Sequence, residues 1–358
     1  MTALRDRLFR AENATILLLL VALAFITVYF SAKSEFFLTW DTVKNTSYNY
    51  ADLAVLAVPM ALLMIAGGVD LSLGANMALS SVLMALAVRE WDWPGWAGIL
   101  LALGVGALIG IINGFLCGIL GCNPVIVTIG GLFAIRGVGK LVRVESQSPL
   151  GNNLDDTKTK VSEGIFDSLG SGTFLGLPSL AWFAIATFLV GGIFIAFTPW
   201  GRYIYAIGIN RQAAFLSGLP VRALPFFLYV ATGIGGGLAG VIAATRIQGT
   251  NPSDVGLQME FKTLIVVLLG GVAWAGGRGK LTGVAIAVIF FSVLQQGQTL
   301  LDVNPFWQDT ILGLALAIAA VVDALLVILP GRLQTRRAVA ERAAAPPLAN
   351  GPEPPPQE

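Results

Sequence analysis

The chain has 358 residues, of which 56% are hydrophobic and 12% are charged, and its mean hydropathy is +0.78. Soluble domains carry about 25% charged residues, so this composition excludes an ordinary soluble fold and favours a protein whose main solvent is the bilayer. The net charge of +1 gives no indication of nucleic-acid binding. The sequence lacks histidine, the commonest catalytic base and metal ligand, and two cysteines cannot form a metal site alone.

Long apolar runs dominate the sequence, and runs of about 20 such residues predict α-helices that cross the hydrocarbon core. We therefore expect an all-α integral membrane protein with about ten transmembrane helices. The predicted spans lie near 14–31, 51–68, 71–88, 96–120, 124–143, 177–198, 223–245, 259–273, 280–297 and 308–330. The first span is long and has no small-residue cleavage site, so we expect no cleavable signal peptide.

The sequence divides into three parts. Residues 1–13 form a predicted cytoplasmic N-terminal segment, and residues 14–330 form the membrane domain. Residues 331–358 are rich in proline and alanine and cannot bury a core, so we expect a disordered cytoplasmic tail. The longest outer loop, near 144–176, is rich in Ser, Asn, Asp and Gly and is expected to be solvated.

Lysine and arginine indicate the orientation, because cytoplasmic loops carry the excess of basic residues. With the N-terminus inside, twelve basic residues face the cytoplasm and seven face outward. The inner set is Arg5, Arg7, Arg10, Arg202, Arg211, Arg222, Arg278, Lys280, Arg332, Arg336, Arg337 and Arg342, and the outer set is Lys33, Lys44, Arg89, Arg143, Lys158, Lys160 and Arg246. Both termini and the polar segment 199–222 are therefore predicted to be cytoplasmic.

Two predicted spans are short and interrupted by glycine, near 67–74 and 270–279, and we expect re-entrant-like segments there. The glycines concerned are Gly67, Gly68 and Gly74 in the first interruption, and Gly270 and Gly271 in the second. Both interruptions begin with Gly-Gly-Val, which indicates a weak internal repeat of the kind found in transporters with two facing halves. Three shared residues in glycine-rich sequence also arise by chance.

Asp70 is the strongest single candidate for a functional residue, because an ionisable group at membrane depth is costly and is a functional candidate by default. The first interpretation makes Asp70, with Ser72, part of a gate on the translocation pathway. The second places Asp70 at the cytoplasmic interface, where it caps the following helix with the help of Ser72. Both interpretations remain open, and a capped turn can itself belong to a gate.

The glycine cluster at 276–280 suggests a phosphate-binding loop, but its spacing is wrong. Such a loop needs a glycine five residues before its Gly-Lys pair and a hydroxyl residue after it. Here Trp274 and Leu281 occupy those positions. The chain is therefore not expected to hydrolyse ATP by itself.

Neutral polar side chains lie within or beside the spans and suit an uncharged polyhydroxyl ligand better than an ion. They are Asn113, Asn123, Thr128, Gln295, Gln296, Gln298 and Gln308, and of these Asn123 and Thr128 are our candidates for the pathway. The alternative is that they hydrogen-bond one helix to another. Arg136 shares a helix face with Lys140 and Arg143; the latter two are expected to snorkel to headgroups, whereas Arg136 could also face the pathway.

The segment 199–222 contains three arginines, a short helix-forming stretch at Arg211–Leu216 and a Gly218-Leu219-Pro220 stop. A plain connector between helices needs only about 2–8 residues. This segment is longer, and we interpret it as a place where another protein pushes on the membrane domain.

Four stretches occur in order and together carry a family resemblance. They are Met64–Gly74, Asn123–Gly131, Gly201–Gly218 and Val267–Gly279, with Pro305-Phe-Trp-Gln308 downstream. This pattern, which covers about residues 50 to 330, resembles the membrane permeases of bacterial ABC importers for monosaccharides of the ribose, xylose and galactoside type.

The resemblance implies a multi-pass permease of the bacterial cytoplasmic (inner) membrane, surrounded by lipid and without a cofactor of its own. Such permeases work in pairs, either two copies of one chain or two different permeases. Each pair rests on cytoplasmic ABC ATPase subunits, which bind ATP and Mg, and receives sugar from an extracytoplasmic binding protein.

In such permeases an Ala-Ala-x-x-x-Gly pattern forms the coupling helix that contacts the ATPase. Carried over to this chain, the coupling residues are Gln212, Ala213, Ala214 and Gly218, with Arg211 beside them. The family usually has Glu before the alanine pair. Because this chain has Gln212, the resemblance does not carry over an ion pair at that position, whereas a hydrogen bond remains available.

Three other functions compete with a sugar permease. A permease for a nucleoside or another small polar solute in the same superfamily fits the same residues. An integral membrane enzyme is disfavoured by the lack of histidine and of clustered carboxylates with acid/base spacing. An ion-coupled carrier working alone would want paired acidic residues at the membrane midplane, and only Asp70 and Asp323 approach that pattern. The sequence does not name the sugar.

Overall fold

The computed structural model describes residues 2–145, 164–247, 250–315, 317 and 321. The described part is almost entirely helical. The helices are α1 Thr2–Lys33, α2 Trp40–Asn49, α3 Ala51–Ile65, α4 Leu73–Arg89, α5 Gly95–Asn113, α6 Pro124–Glu145, α7 Ile165–Gly170, α8 Ser179–Phe197, α9 Pro199–Ile209, α10 Arg211–Leu216, α11 Ala223–Ile247, α12 Met259–Leu269 and α13 Leu281–Leu300. A π-helical turn, Gly114–Ile119, extends α5, and residues 305–315 are helical.

A small antiparallel hairpin is the one sheet in the described residues. Its strands are β1 Thr173–Phe174 and β2 Leu177–Pro178. It lies immediately before α8, within the outer loop expected near 144–176. Residues 146–163 of that loop, residues 322–330 of the last predicted span and the predicted tail 331–358 lie outside the described residues.

Among the residues that the structure describes, six helices are long and apolar enough to cross a membrane: α1, α5 with its π-helical turn, α6, α8, α11 and α13. A seventh span results if α2 and α3, which are bent by 52° at Tyr50, are counted together. The expectation of a helical membrane protein is confirmed. The length and composition of the described helices do not give the expected count of ten spans. They also do not indicate on which side of the membrane the termini lie.

Glycine explains why two of the predicted spans are not complete. The prediction placed spans at 51–68 and 259–273, but α3 ends at Ile65 and α12 at Leu269. With 11 residues, α12 is about 16 Å long, roughly half the thickness of the hydrocarbon core. In the predicted N-terminal segment 1–13, α1 begins at Thr2 and continues into the first span.

The long helix α11 lies at the centre of the bundle and packs against α3, α4 and α5. Its contact with α5 is very close because both helices present glycine. A Cβ atom at Gly106 would lie 2.4 Å from the carbonyl oxygen of Gly233, and one at Gly110 would lie 2.5 Å from that of Tyr229. Small residues four apart allow such close approach between helices in lipid. This interface was not anticipated from the sequence.

Candidate functional site

The first break, residues 66–72, separates α3 from α4. The backbone N–H of Gly67 donates to the carbonyl of Met64 at 2.9 Å. The N–H of Gly68 donates to the carbonyl of Leu63, also at 2.9 Å. With Gly67 at φ +86°, this pattern is a Schellman motif, which ends a helix and satisfies its last carbonyls.

The second break, residues 270–280, separates α12 from α13 and begins in the same way. Gly271 has φ +84° and its N–H donates to the carbonyl of Leu268 at 2.9 Å. The N–H of Val272 donates to the carbonyl of Val267 at 3.3 Å. Both predicted interruptions therefore begin as helix ends of one geometry, and the internal repeat stays a prediction.

The residues that correspond between the two breaks in the structure are offset by one from those that match in the sequence. Matching the shared Gly-Gly-Val aligns Gly67 with Gly270. In the structure the left-handed residue that corresponds to Gly67 is Gly271. Gly270 has another role, since a Cβ atom there would lie 2.6 Å from the Cα of Val284 on α13. The shared Gly-Gly-Val therefore does not place the two left-handed residues at matching positions.

The two breaks contact each other through their backbones. The N–H of Gly277 donates to the carbonyl of Ile65 at 2.7 Å. A Cβ atom at Gly276 would lie 2.9 Å from the Cα of Gly67. The two breaks are therefore in direct contact through backbone atoms.

Asp70 lies in the first break, is 1% exposed and joins three segments. Its Oδ1 accepts hydrogen bonds from the backbone N–H of Ser72 at 2.9 Å and from the Ser72 hydroxyl at 2.6 Å. The hydroxyl of Thr232 on α11 lies 3.0 Å from Oδ2, and the amide of Asn113 lies 3.4 Å from both oxygens. Asn113 also donates to the Ser72 hydroxyl at 2.9 Å. We call Asp70, Ser72, Asn113 and Thr232 the Asp70 network.

These contacts bear on the two interpretations of Asp70. Thr232 lies within the 25-residue α11, and Asn113 lies where α5 meets the π-helical turn, so both belong to candidate spans. π-Helical turns are frequent at functional sites. The bond from the Ser72 N–H agrees with a turn-forming role before α4, but that role does not account for the contacts with α5 and α11.

A second buried polar cluster surrounds Gly74 and was not anticipated. A Cβ atom at Gly74 would lie 2.2 Å from Oε2 of Glu260 and 2.3 Å from the carbonyl oxygen of Gly256. Glu260 is 5% exposed. The Arg136 guanidinium donates to the carbonyls of Gly256 at 2.9 Å and Pro252 at 3.1 Å. Arg136 thus holds the turn before α12, and Gly74 allows α4 to approach that turn.

The two pathway candidates on α6 bond within their own helix. Asn123 is exposed, and its side-chain oxygen accepts from the N–H of Val125 at 3.0 Å, which caps the start of α6. The Thr128 hydroxyl is buried and donates to the carbonyl of Pro124 at 2.8 Å. Neither side chain hydrogen-bonds to Asp70 within the described residues, and their place on the pathway stays a prediction.

The segment 199–222 is mostly helical rather than a loop. α9 and α10 are separated by Asn210 alone, whose side-chain oxygen accepts from the N–H of Ala213 at 2.9 Å and caps α10. α10 ends in a third Schellman motif at Gly218, which has φ +76°. There the N–H of Gly218 donates to Phe215 and that of Leu219 to Ala214. The predicted helix and its glycine stop are confirmed, whereas the Asn210 cap was missed.

α10 presents one alanine to the protein and the other to solvent. Ala214 is buried, whereas Gln212 and Ala213 are exposed. Arg211 donates to the carbonyls of Val221 at 3.1 Å and Gly118 at 3.4 Å, which ties the start of α10 to the end of the π-helical turn. Arg211 therefore holds α10 in place.

Large apolar side chains are exposed on the same segment. Ile209 is 72% exposed, Phe215 59% and Leu216 76%. Both residues of the Phe215-Leu216 pair belong to α10, and Ile209 ends α9. α10 and the end of α9 therefore expose apolar side chains.

A cavity of about 620 Å³ lies elsewhere, between α3, α8 and α11. Its lining is almost wholly apolar and includes Val58, Leu62, Phe194, Phe227 and Leu228. Because it offers few hydrogen-bonding groups, this cavity is unsuited to a polyhydroxyl solute, and it contains none of the Asp70 network.

Comparisons with known proteins agree on a transport role. The ribose import permease protein of Bacillus subtilis is 32% identical over 303 residues, 85% of this chain and 91% of that protein. The galactose/methyl galactoside import permease protein of Escherichia coli is 29% identical over 340 residues, 91% and 98% of the two chains. The autoinducer 2 import system permease protein of Photorhabdus temperata is 32% identical over 273 residues, 75% and 79%.

No solved structure matches the chain. The relatives are transport permeases and not enzymes, and their match confirms the expected resemblance and a location in the bacterial inner membrane. The family model described as branched-chain amino acid transport system / permease component matches residues 42–320. That range includes both breaks, the Asp70 network and α10. The chain therefore belongs to this family of transport-system permease components.

Proposed function

We propose that this chain is the transmembrane permease subunit of a bacterial ABC importer that moves a monosaccharide into the cell. The observation that carries the proposal is similarity across most of the chain to permeases named for ribose and galactoside import. The family description alone names branched-chain amino acids, so the choice of a sugar rests on those relatives.

The proposal assigns ATP hydrolysis, delivery of the sugar and its passage through the membrane to separate subunits. An ATPase on the cytoplasmic side binds ATP and Mg, because this chain has no phosphate-binding loop. An extracytoplasmic binding protein delivers the sugar, and two permease subunits, identical or different, enclose the pathway. The pathway candidates are the two breaks and the Asp70 network, together with Gly74, Asn123 and Thr128.

α10 is proposed as the coupling helix that contacts the ATPase. Gln212 and Ala213 face outward, and Phe215 and Leu216 add apolar surface. Ala214 packs inward and Gly218 ends the helix, so both shape the contact rather than form it. Gln212 can donate or accept a hydrogen bond at the position where the family usually has Glu.

A second candidate within the same class is a permease for another small polar solute, such as a nucleoside. The relative named for autoinducer 2 import supports this candidate, since its identity to this chain equals that of the ribose permease from Bacillus subtilis. Similarity at this level does not separate the two solutes.

The function is tested by reconstituting the chain with the ATPase and the binding protein encoded beside its gene. We expect the binding protein to show a raised melting temperature with one monosaccharide in a panel that also contains nucleosides. That sugar should stimulate ATP hydrolysis by the complex and enter proteoliposomes. Stimulation by a nucleoside alone would select the second candidate, and the absence of any stimulation would contradict both.

The coupling assignment is tested by Ala213→Arg in the same complex. Because Ala213 is exposed, arginine is accommodated in the permease but blocks a close contact with the ATPase. We expect loss of ligand-stimulated ATP hydrolysis, with the melting temperature of the permease unchanged. Ser171→Arg, at an exposed position near the β hairpin, is the control and should retain full stimulation. Unchanged stimulation in Ala213→Arg would refute the assignment of α10.

A further inference from the structure

α9 lies between the proposed coupling helix and the two breaks. The hydroxyl of Tyr205 on α9 donates to the carbonyl oxygen of Gly279 at 2.8 Å. Gly279 is the penultimate residue of the second break, directly before Lys280 and the start of α13. This contact joins α9 to the second break by a side chain of fixed length.

Gly208, three residues later on α9, contacts both breaks at one point. A Cβ atom at Gly208 would lie 1.9 Å from the carbonyl oxygen of Ile65 and 2.4 Å from the backbone nitrogen of Gly277. These two atoms are the partners of the hydrogen bond that joins the breaks. The backbone of α9 therefore packs directly onto that hydrogen bond, and no other residue type fits there.

α9 and α10 are coupled through Asn210. The N–H of Asn210 donates to the carbonyl of Ala206 at 3.2 Å and so ends α9. Its side chain caps α10 through Ala213. Because one residue serves both helices, a displacement of α10 reaches α9 without a flexible linker between them.

We propose that Tyr205 and Gly208 are positioning residues for transport, which transmit the displacement of α10 to both breaks at once. This inference rests on the proposed function, since it requires an ATPase at α10. It goes beyond that function by assigning the connection to α9 and by making the two breaks respond together. A conformational change needs an element with two arrangements that the effector distinguishes, and the joined breaks are that element.

The test uses hydrogen–deuterium exchange on the permease with its ATPase in lipid nanodiscs, with and without a non-hydrolysable ATP analogue. The readout is deuterium uptake in peptides that cover 66–72 and 270–280. In the unaltered complex, the nucleotide should change uptake in both. In Tyr205→Phe, the response of 270–280 should fall about fivefold, the factor expected for one hydrogen bond of ordinary strength.

Tyr203→Phe is the matched control. Tyr203 lies on the same helix and is also partly buried, but its hydroxyl makes no hydrogen bond within the described residues. It should retain the full response. Gly208→Ala is the stronger variant, in which the added methyl group should separate the breaks and raise uptake in both peptides even without nucleotide.

The outcomes separate this inference from the proposed function. If the ATPase does not bind the permease, the proposed function fails. If it binds and Tyr205→Phe responds as fully as Tyr203→Phe, the positioning role of Tyr205 is wrong and the proposed function stands. If only one break responds in the unaltered complex, the joint movement of the breaks is refuted.

Discussion

Asp70 is a buried acidic residue whose hydrogen-bonding partners, Ser72, Asn113 and Thr232, are all neutral. Isolated carboxylates are expensive to bury unless several donors satisfy them. Here the donors come from the first break, α5 and α11, so the same bonds that satisfy Asp70 also hold the break against two neighbouring helices. A satisfied carboxyl group has little capacity left for a solute, which favours a role in the movement of the gate over direct binding.

We predict that Asp70→Asn impairs transport more than assembly. The amide replaces one accepting oxygen by a donor, so one donor among Ser72, Asn113 and Thr232 must turn to another acceptor, which for the Thr232 hydroxyl is the carbonyl of Tyr229 at 2.8 Å. An ordinary hydrogen bond contributes about 0.5–1.5 kcal/mol, and we expect uptake in proteoliposomes to fall about threefold to tenfold while the complex still forms. Asp70→Ala should be more severe.

The control for Asp70 is Asp41→Asn. The Asp41 side chain is 84% exposed and pairs with Lys44 at 2.9 Å, and exposed pairs of this kind contribute little. Its substitution should leave uptake unchanged. Normal uptake by Asp70→Asn as well would restrict Asp70 to the role of shaping the turn before α4.

At the scale of elements, glycine has two different functions in this chain. Gly67, Gly271 and Gly218 have positive φ and end α3, α12 and α10 in the same geometry. Gly106 and Gly110 are helical, and they allow α5 to pack against the backbone of α11. In the sequence the two sets look alike, since both are glycine. The spacing of four residues between Gly106 and Gly110 is the signal that could have identified the interface between α5 and α11.

We predict that Gly110→Ala destabilises the protein. Its Cβ would lie 2.5 Å from the carbonyl oxygen of Tyr229 and 2.8 Å from the Cα of Val230, both backbone atoms. Overpacking of this kind costs about 1–3 kcal/mol, so the melting temperature should fall.

The control lies on the same helix. A Cβ atom at Gly104 meets nothing within 4 Å, and alanine is favoured over glycine in a helix by about 1 kcal/mol. Gly104→Ala should therefore leave the melting temperature unchanged or raise it. Equal effects of the two substitutions would show that helix propensity, rather than the contact between α5 and α11, decides stability here.

At the scale of the whole molecule, the two breaks, the Asp70 network and the α9–α10 pair form one connected body. α11 contributes Thr232 to the network, α9 contacts both breaks, and Arg211 ties α10 to the end of the π-helical turn. The distribution of lysine and arginine predicts which end of this body faces the cytoplasm. That orientation remains a prediction.

We predict that α10 faces the cytoplasm and the β hairpin faces outward. In a background with Cys117→Ser and Cys122→Ser, single substitutions Ser217→Cys and Ser171→Cys place a thiol at two exposed positions. A membrane-impermeant maleimide added to intact spheroplasts should label the cysteine at 171 and not the one at 217. Permeabilised cells should label both. Labelling of 217 in intact cells would reverse the orientation.

Much of the architecture could be predicted without the structure, because membrane helices are long and apolar and their pattern is local. The spans, the helix at Arg211–Leu216 and its stop at Gly218 are examples. The predicted ends of α3 and α12 lay a few residues too far along the chain, because hydrophobicity continues through the glycines that end both helices.

The sequence by itself determined that the chain is a helical membrane protein, that it lacks a phosphate-binding loop and that it carries an isolated acidic residue in a glycine-rich interruption. Only the tertiary structure decided which segments surround Asp70, that Arg136 and Glu260 lie beside the turn that approaches Gly74, and that α9 joins both breaks. The physical reason is distance along the chain: Asp70 and Thr232 are 162 residues apart, and a contact of that kind leaves no periodic trace in either segment.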